Sequence, residues 1–177
     1  LQGRFLHRAL SKLQHLAESV DVVALGPGIG RSVDVQRLVV ELYQTVERPM
    51  VVDADALYAL GRHRAALLEA PAARVLTPHP GEFRRLVPSE PEATREQLEA
   101  SAIDLAQQTG AVLVLKGHRS LITDGQRQEH NTTGNSGLAK GGSGDVLTGI
   151  IAALLAQGLA PFEAARLACH VHGRAGD

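Results

Sequence analysis

Cysteine occurs once in these 177 residues, at Cys169, and tryptophan does not occur at all. One thiol excludes an intramolecular disulfide and any zinc site built on paired cysteines, and makes a reducing, cytoplasmic compartment the expected setting. Aromatic residues make up only 3% of the chain and the formal net charge is −1. There is thus no base-stacking platform and no electrostatic footprint for nucleic acid. No apolar run approaches the roughly 18 residues that would suggest a membrane span. Lysine is scarce too: of 18 basic residues only Lys12, Lys116 and Lys140 are lysines.

What is present suits one globular domain. With 44% hydrophobic residues the chain can bury a sizeable core. It starts at Leu1 inside an apparent helix and stops at Asp177 inside another, and reads as an internal segment of a longer protein. Phe5, Leu6, Ala9, Leu10, Leu13, Leu16, Ala17 and Val20 recur at helical spacing, which predicts an amphipathic helix over 4–19. Buried strands are expected at "DVVAL" (21–25), "PMVVDADAL" (49–57), "RVLTPHPGE" (74–82, strand then turn) and "AVLVLKG" (111–117). Helices are expected at about 33–46, near 91–109 and over 146–159, and "SLITDGQRQEH" (120–130) reads as a hairpin turning at Asp124-Gly125. Continuous apolar strands alternating with helices imply an α/β fold, a mainly parallel central sheet with helices on both faces. In such sheets ligands bind beyond the carboxyl ends of the strands, and "GPGIG", "DADAL", "TPHPGE" and "KGHRS" all lie there.

The densest signal is "NTTGNSGLAKGGSGDVLTGIIAALLAQG" (131–158), where Gly134, Gly137, Gly141, Gly142 and Gly144 precede an aspartate and an apolar helix. Val146, Leu147, Ile150, Ile151, Leu154 and Leu155 share one face, predicting a helix packed on the sheet. A helix N-terminus carries unpaired amides and partial positive charge, and glycines let those amides close around a phosphate. The plainer alternative is a glycine-rich loop with Asp145 as a helix-start carboxylate. No Lys-Ser/Thr pair follows the last glycine, so this is not a Walker A loop, and its late position excludes a dinucleotide fingerprint. Asp145 suits a general base that deprotonates a hydroxyl attacking phosphorus.

Lys116 and Lys140 stand beside glycines in the candidate loops, where an ammonium supplies a compact charge; solvated lysines are the alternative. His79, set between two prolines, has a stiffened turn to aim its imidazole, while Glu82 can cap the helix that follows. "GPGIG" can be a tight turn only. Asp53 and Asp55 could hold a cation, with capping of the next helix favoured. His170 and His172, two apart on a helix, face opposite ways and make no metal pair, and no metal site is expected. No G-x-S-x-G elbow occurs.

Taken in order, "ALGPGIG", "VVDADAL", "LTPHPGEF", "VLKGH", "NSGLAKGGSGD" and "ACHVHGRAGD" resemble the ADP/ATP-dependent NAD(P)H-hydrate dehydratases of the ribokinase-like superfamily. The resemblance runs from about residue 20 to the end. It implies a ribokinase-like three-layer sandwich, with 1–177 a partial dehydratase domain lacking its N-terminal strands and C-terminal end. It implies dehydration of hydrated NADH or NADPH, with ADP or ATP as co-substrate and Mg2+ accompanying it. Asp145 would activate the ring hydroxyl. Gly28, Gly30 and His79 would contact the hydrate, and Lys116, Gly117, His118, Arg119, Ser120 and Gly144 the nucleotide. It further implies a homo-oligomer and a fused epimerase domain. A small-molecule kinase of vitamin synthesis, or a non-catalytic nucleotide-binding module, would share the Gly-Ser-Gly-Asp logic.

Overall fold

Four short strands of almost unbroken apolar sequence set the architecture. The computed structural model describes residues 7–88, 90 and 92–177. In it β1 (Val23–Leu25), β2 (Met50–Val52), β3 (Arg74–Leu76) and β4 (Val112–Leu115) run parallel, in that spatial order. β5 (Leu121–Thr123) and β6 (Gln128–His130) continue the sheet antiparallel at one edge. β2, β3 and β4 are buried at every residue, so both faces of the sheet are covered.

Period-two alternation sorts each strand between two cores. Met50, Val52, Leu76, Leu113 and Leu115 face one layer, formed by α1 (Leu10–Glu18), α2 (Val33–Thr45), α3 (Ala54–Arg62), α4 (Pro80–Leu86) and α5 (Arg95–Thr109). Val51, Val75, Val112, Val114 and Ile122 face the other, formed by α6 (Ser143–Ala156) and α7 (Pro161–Gly176). The result is the expected three-layer α/β sandwich. Among the described residues no helix is long and apolar enough to cross a membrane.

Several boundaries differ from the sequence reading, most of them for a local hydrogen-bonding reason. The first helix begins at Leu10 after a 3-10 turn at His7–Ala9, and residues 4–6 of the expected span lie outside the described residues. The strand expected over 49–57 stops at Val52, because the Asp53 carboxylate accepts from the Ala54 amide at 2.9 Å and starts α3. Helix α5 starts at Arg95 rather than near 91, where Thr94 and Gln97 form a reciprocal capping box. The hairpin at 120–130 closes through four residues, Asp124 to Arg127, with the Asp124 carboxylate accepting the Gln126 and Arg127 amides. Burial opposes ionisation of Asp124, but these amides and the Arg127 guanidinium outweigh it and hold the carboxyl below its ordinary range.

Helix α6 begins at Ser143, three residues earlier than expected, after Gly142 in a left-handed conformation. It turns Leu147, Ile151 and Leu155 to the sheet, with Ile150 and Leu154 half-buried. Val146, expected on the buried face, is 57% exposed because it lies one residue off that stripe.

Candidate active site

All four parallel strands end on the same edge, and their loops are tied to one another there. The Asp53 amide donates to the Leu25 carbonyl (3.0 Å), Thr77 to Val52 (3.1 Å) and Lys116 to Pro78 (2.8 Å). Each bond continues the ladder one residue past its strand. Gly26 makes the first junction possible: with φ +136, a Cβ there would sit 1.8 Å from the Asp53 carbonyl oxygen. Ala54, the residue after Asp53, has φ +49. A non-glycine residue in this region costs about 1–2 kcal/mol, which the surrounding contacts must offset.

Asp53 is the centre of the site. Only 1% exposed, its carboxylate accepts from three elements. The Lys116 Nζ donates to Oδ1 at 2.9 Å, the Thr148 hydroxyl of α6 to Oδ2 at 2.9 Å, and the Ala54 amide to Oδ1. This joins the end of β4 to the second turn of α6 across the end of β2. Gly144 lies over the same cluster, since a Cβ there would stand 3.2 Å from Lys116 Nζ and 3.6 Å from Asp53 Oδ2. Lys116 and Gly144, read as nucleotide contacts from the sequence, are therefore neighbours in space.

The mouth of α6 is open. Ser143 donates to the Lys140 carbonyl and Val146 to Gly142. Among the described residues the Gly144 and Asp145 amides have no protein acceptor, and Gly142 supplies no side-chain cap. Asp145 is exposed and its carboxylate accepts no hydrogen bond from the described residues. The opposite helix face is anchored where Ser143 Oγ meets His172 Nε2 of α7 at 3.2 Å. The His170 carbonyl accepts from the Thr133 hydroxyl. Among the described residues no group of three His, Cys, Asp or Glu could hold a metal.

The other candidate residues line the same edge with different local duties. Gly28 and Gly30 have φ of +71 and +88, and a Cβ on either would meet nothing within 4 Å. Their loop is held by Asp55 in the first turn of α3, which accepts the Gly30 amide at 3.0 Å and Arg31 Nε at 2.6 Å. His79 caps α4: its Nδ1 accepts the Gly81 and Glu82 amides, and Glu82 returns a bond to the His79 amide at 2.9 Å. Only Nε2 of the half-exposed ring remains for a ligand, 3.5 Å from Glu82 Oε1. Gly117 to Ser120 form a turn closed by the Ser120 hydroxyl, with His118 and Arg119 exposed on it. Arg95 of α5 braces this turn from behind by donating to the Leu115 and Lys116 carbonyls.

Sequence reasoning undervalued Asp53 and Asp55 and missed Arg95 and Thr148. The signal for Thr148 was a hydroxyl on the sheet-facing side of an otherwise apolar helix. Burial pushes the Cys169 thiol up to about 12 despite the Lys116 charge, which disfavours a thiolate near neutral pH.

Fold and site together define a ribokinase-like α/β protein, with an open helix mouth and a carboxylate at the carboxyl edge of its sheet. The family model described as NAD(P)H-hydrate dehydratase matches residues 4–177, and the chain belongs to that family. It is 43% identical over 176 residues to the bifunctional NAD(P)H-hydrate repair enzyme Nnr of Thermofilum pendens, covering 99% of this chain and 34% of that protein. It is 40% identical to the ADP-dependent (S)-NAD(P)H-hydrate dehydratase of Neisseria meningitidis, covering 88% of this chain and 53% of that one. The ADP/ATP-dependent NAD(P)H-hydrate dehydratase of Bacillus subtilis, co-crystallized with ATP/Mg2+, superposes with a TM-score of 0.73 at 31% identity, over 90% of this chain and 58% of that one. The chain thus spans between a third and about three fifths of the length of these relatives.

Proposed function

We propose that this chain forms part of the dehydratase domain of an enzyme that returns hydrated NADH or NADPH to the intact dinucleotide, consuming ADP or ATP. The supporting observation is the α6 mouth, where two unpartnered amides, the Lys116 ammonium and the uncommitted Asp145 carboxylate belong to one cluster of loops. Family membership favours dehydration over the small-molecule kinase alternative. The bifunctional names of relatives support fusion to a second, epimerase domain. A cytoplasmic location and a homo-oligomeric state belong to the same proposal.

The chemistry follows from leaving-group ability. Hydroxide leaves poorly, its conjugate acid having a pKa of about 15.7, whereas phosphate leaves well, with a second pKa of about 6. Asp145 takes the proton of the hydroxyl on ring carbon C6, and that oxygen attacks the terminal phosphorus of the nucleotide. The bond from phosphorus to the bridging oxygen breaks and its electron pair stays with AMP or ADP. The ring nitrogen lone pair then expels phosphate with the C6–O electron pair, and loss of the C5 proton forms the C5–C6 double bond. Hydrate and ADP become reduced dinucleotide, AMP, phosphate and a proton. Amides of Gly144 and Asp145 stabilise charge on the migrating phosphoryl, each such donor being worth about 10²–10³-fold in rate.

Among the described residues no group of three His, Cys, Asp or Glu side chains could hold an ion here, so Mg2+ carried by the nucleotide would be held by phosphate oxygens and water. Bound there, the ion would neutralise phosphate charge. Gly28 and Gly30 with His79 Nε2 contact the hydrate, and the Gly117–Ser120 turn holds the nucleotide.

Given hydrated NADH and ADP, the intact protein should restore the absorbance of reduced nicotinamide with equimolar AMP and phosphate. No recovery with either ADP or ATP would sink the reading. Asp55→Ala, which frees the Gly30 amide and Arg31, should raise KM for the hydrate about 10-fold with kcat within about 3-fold, the mark of lost uniform binding. An unchanged KM removes the Gly28–Gly30 loop from the substrate contacts.

A further inference from the structure

The Lys116 side chain runs away from the exposed turn that follows it and ends against a carboxylate that is 1% exposed. Its ammonium stands where a Gly144 Cβ would nearly touch it. The carboxylate is itself oriented by a buried hydroxyl, Thr148, which is 2% exposed on the sheet face of α6. A carboxylate this buried is costly unless its hydrogen bonds are satisfied. A hydroxyl among Leu147, Ile151 and Leu155 adds nothing to the packing that valine would not supply. The arrangement makes sense if the position of the ammonium matters.

We infer that Asp53 and Thr148 are positioning residues that hold the Lys116 ammonium at the mouth of α6, so that it and the Gly144 amide grip the same phosphoryl group. This rests on the dehydratase reading and refines it. Lys116 serves the phosphoryl that moves, while the Gly117–Ser120 turn serves the rest of the nucleotide. Asp53 has a second effect. It pairs with the partly exposed ammonium before the anion arrives, so the mouth is preset. Charge on the phosphoryl oxygens changes most during transfer, so misplacing the ammonium acts on kcat more than on nucleotide affinity.

The test compares wild type with Thr148→Val, Thr148→Ser and Asp53→Asn in the intact protein. Thr148→Val has nearly the same volume and lacks only the hydroxyl; Thr148→Ser keeps it. Thr148→Val and Asp53→Asn are each expected to lower kcat at least about 10-fold with KM for ADP within about 3-fold, a displacement of about 1 Å sufficing for such losses. Thr148→Ser should recover to within about 3-fold of wild type. A wild-type kcat in Thr148→Val, an equal loss in Thr148→Ser, or a loss confined to KM would each overturn the inference. If wild type itself turns over no hydrate, the dehydratase reading fails separately. The inference is then decided by inorganic phosphate titrated against the Gly144 amide resonance. Phosphate affinity should fall at least about 3-fold in Thr148→Val and return in Thr148→Ser; equal affinities in the three proteins would refute it.

Discussion

Asp145→Asn is expected to slow dehydration at least about 10²-fold while ADP binds with nearly unchanged affinity. The substitution keeps the shape of the side chain and removes its negative charge, and with it the ability to take a proton. Its neighbours make the comparison clean. The carboxylate is exposed, carries no ion pair or hydrogen bond among the described residues, and caps no amide of α6. Its loss therefore releases no partner and costs only the small helix-start charge effect, about 0.3–1 kcal/mol. Nucleotide affinity, carried mainly by the Gly117–Ser120 turn, should persist, so calorimetry with ADP separates lost chemistry from lost binding. Turnover within a few-fold of wild type would remove Asp145 from the role of base and leave the α6 mouth as an anion site alone.

Arg74→Ala should lower unfolding free energy by about 3–5 kcal/mol, because several buried carbonyls lose a charged donor and each such bond is worth about 1.5–3 kcal/mol. Arg74 opens β3 and is 1% exposed. Its guanidinium has no carboxylate partner among the described residues. Nη2 donates to the Tyr43 and Val46 carbonyls at 2.7 and 2.8 Å, where α2 ends, and Nη1 to Arg48, Ala72 and Ala73. The guanidinium also lies 5.1 Å from the Tyr43 ring centroid. The cation is thus held by the negative end of a helix and by turn carbonyls that have lost water. Burial lowers the Arg74 pKa from its ordinary value and raises that of Tyr43 to about 12, so near neutral pH the pair is a charged guanidinium over a neutral phenol. Alanine leaves five carbonyls without this donor. Arg74→Lys keeps the charge but not the fork and should fall between the two, by about 1–3 kcal/mol. Urea titration followed by circular dichroism reads both. A loss below about 1 kcal/mol in Arg74→Ala would mean that water replaces the guanidinium at no cost.

Much of the site was legible because its residues break local rules. Glycines before an apolar helix, a histidine between prolines and a lysine in an arginine-biased chain each stand out against their neighbours, and each lies on the carboxyl edge of the sheet. Asp53 was harder to rank. In "VVDADAL" it looks like a helix cap, and it is one; nothing local says that its other partners come from residues 63 and 95 positions away. Thr148 and Arg95 are ordinary residues for helices and show their duties only when α6 and α5 dock on the strand ends. Val146 shows the same limit from the other side: its hydrophobicity suggested burial, and the roll of α6 on the sheet left it in water.

The amino-acid sequence by itself determined the layers, the parallel order of strand and helix, and the loops that gather at one edge, because hydrophobic period and turn chemistry are properties of short windows. Only the tertiary structure decided that a lysine at the end of β4, an aspartate at the end of β2 and a threonine on α6 share one buried carboxylate. Such a cluster depends on how far each helix slides and rolls against the sheet, and that is set by the packing of the whole core rather than by any stretch of chain.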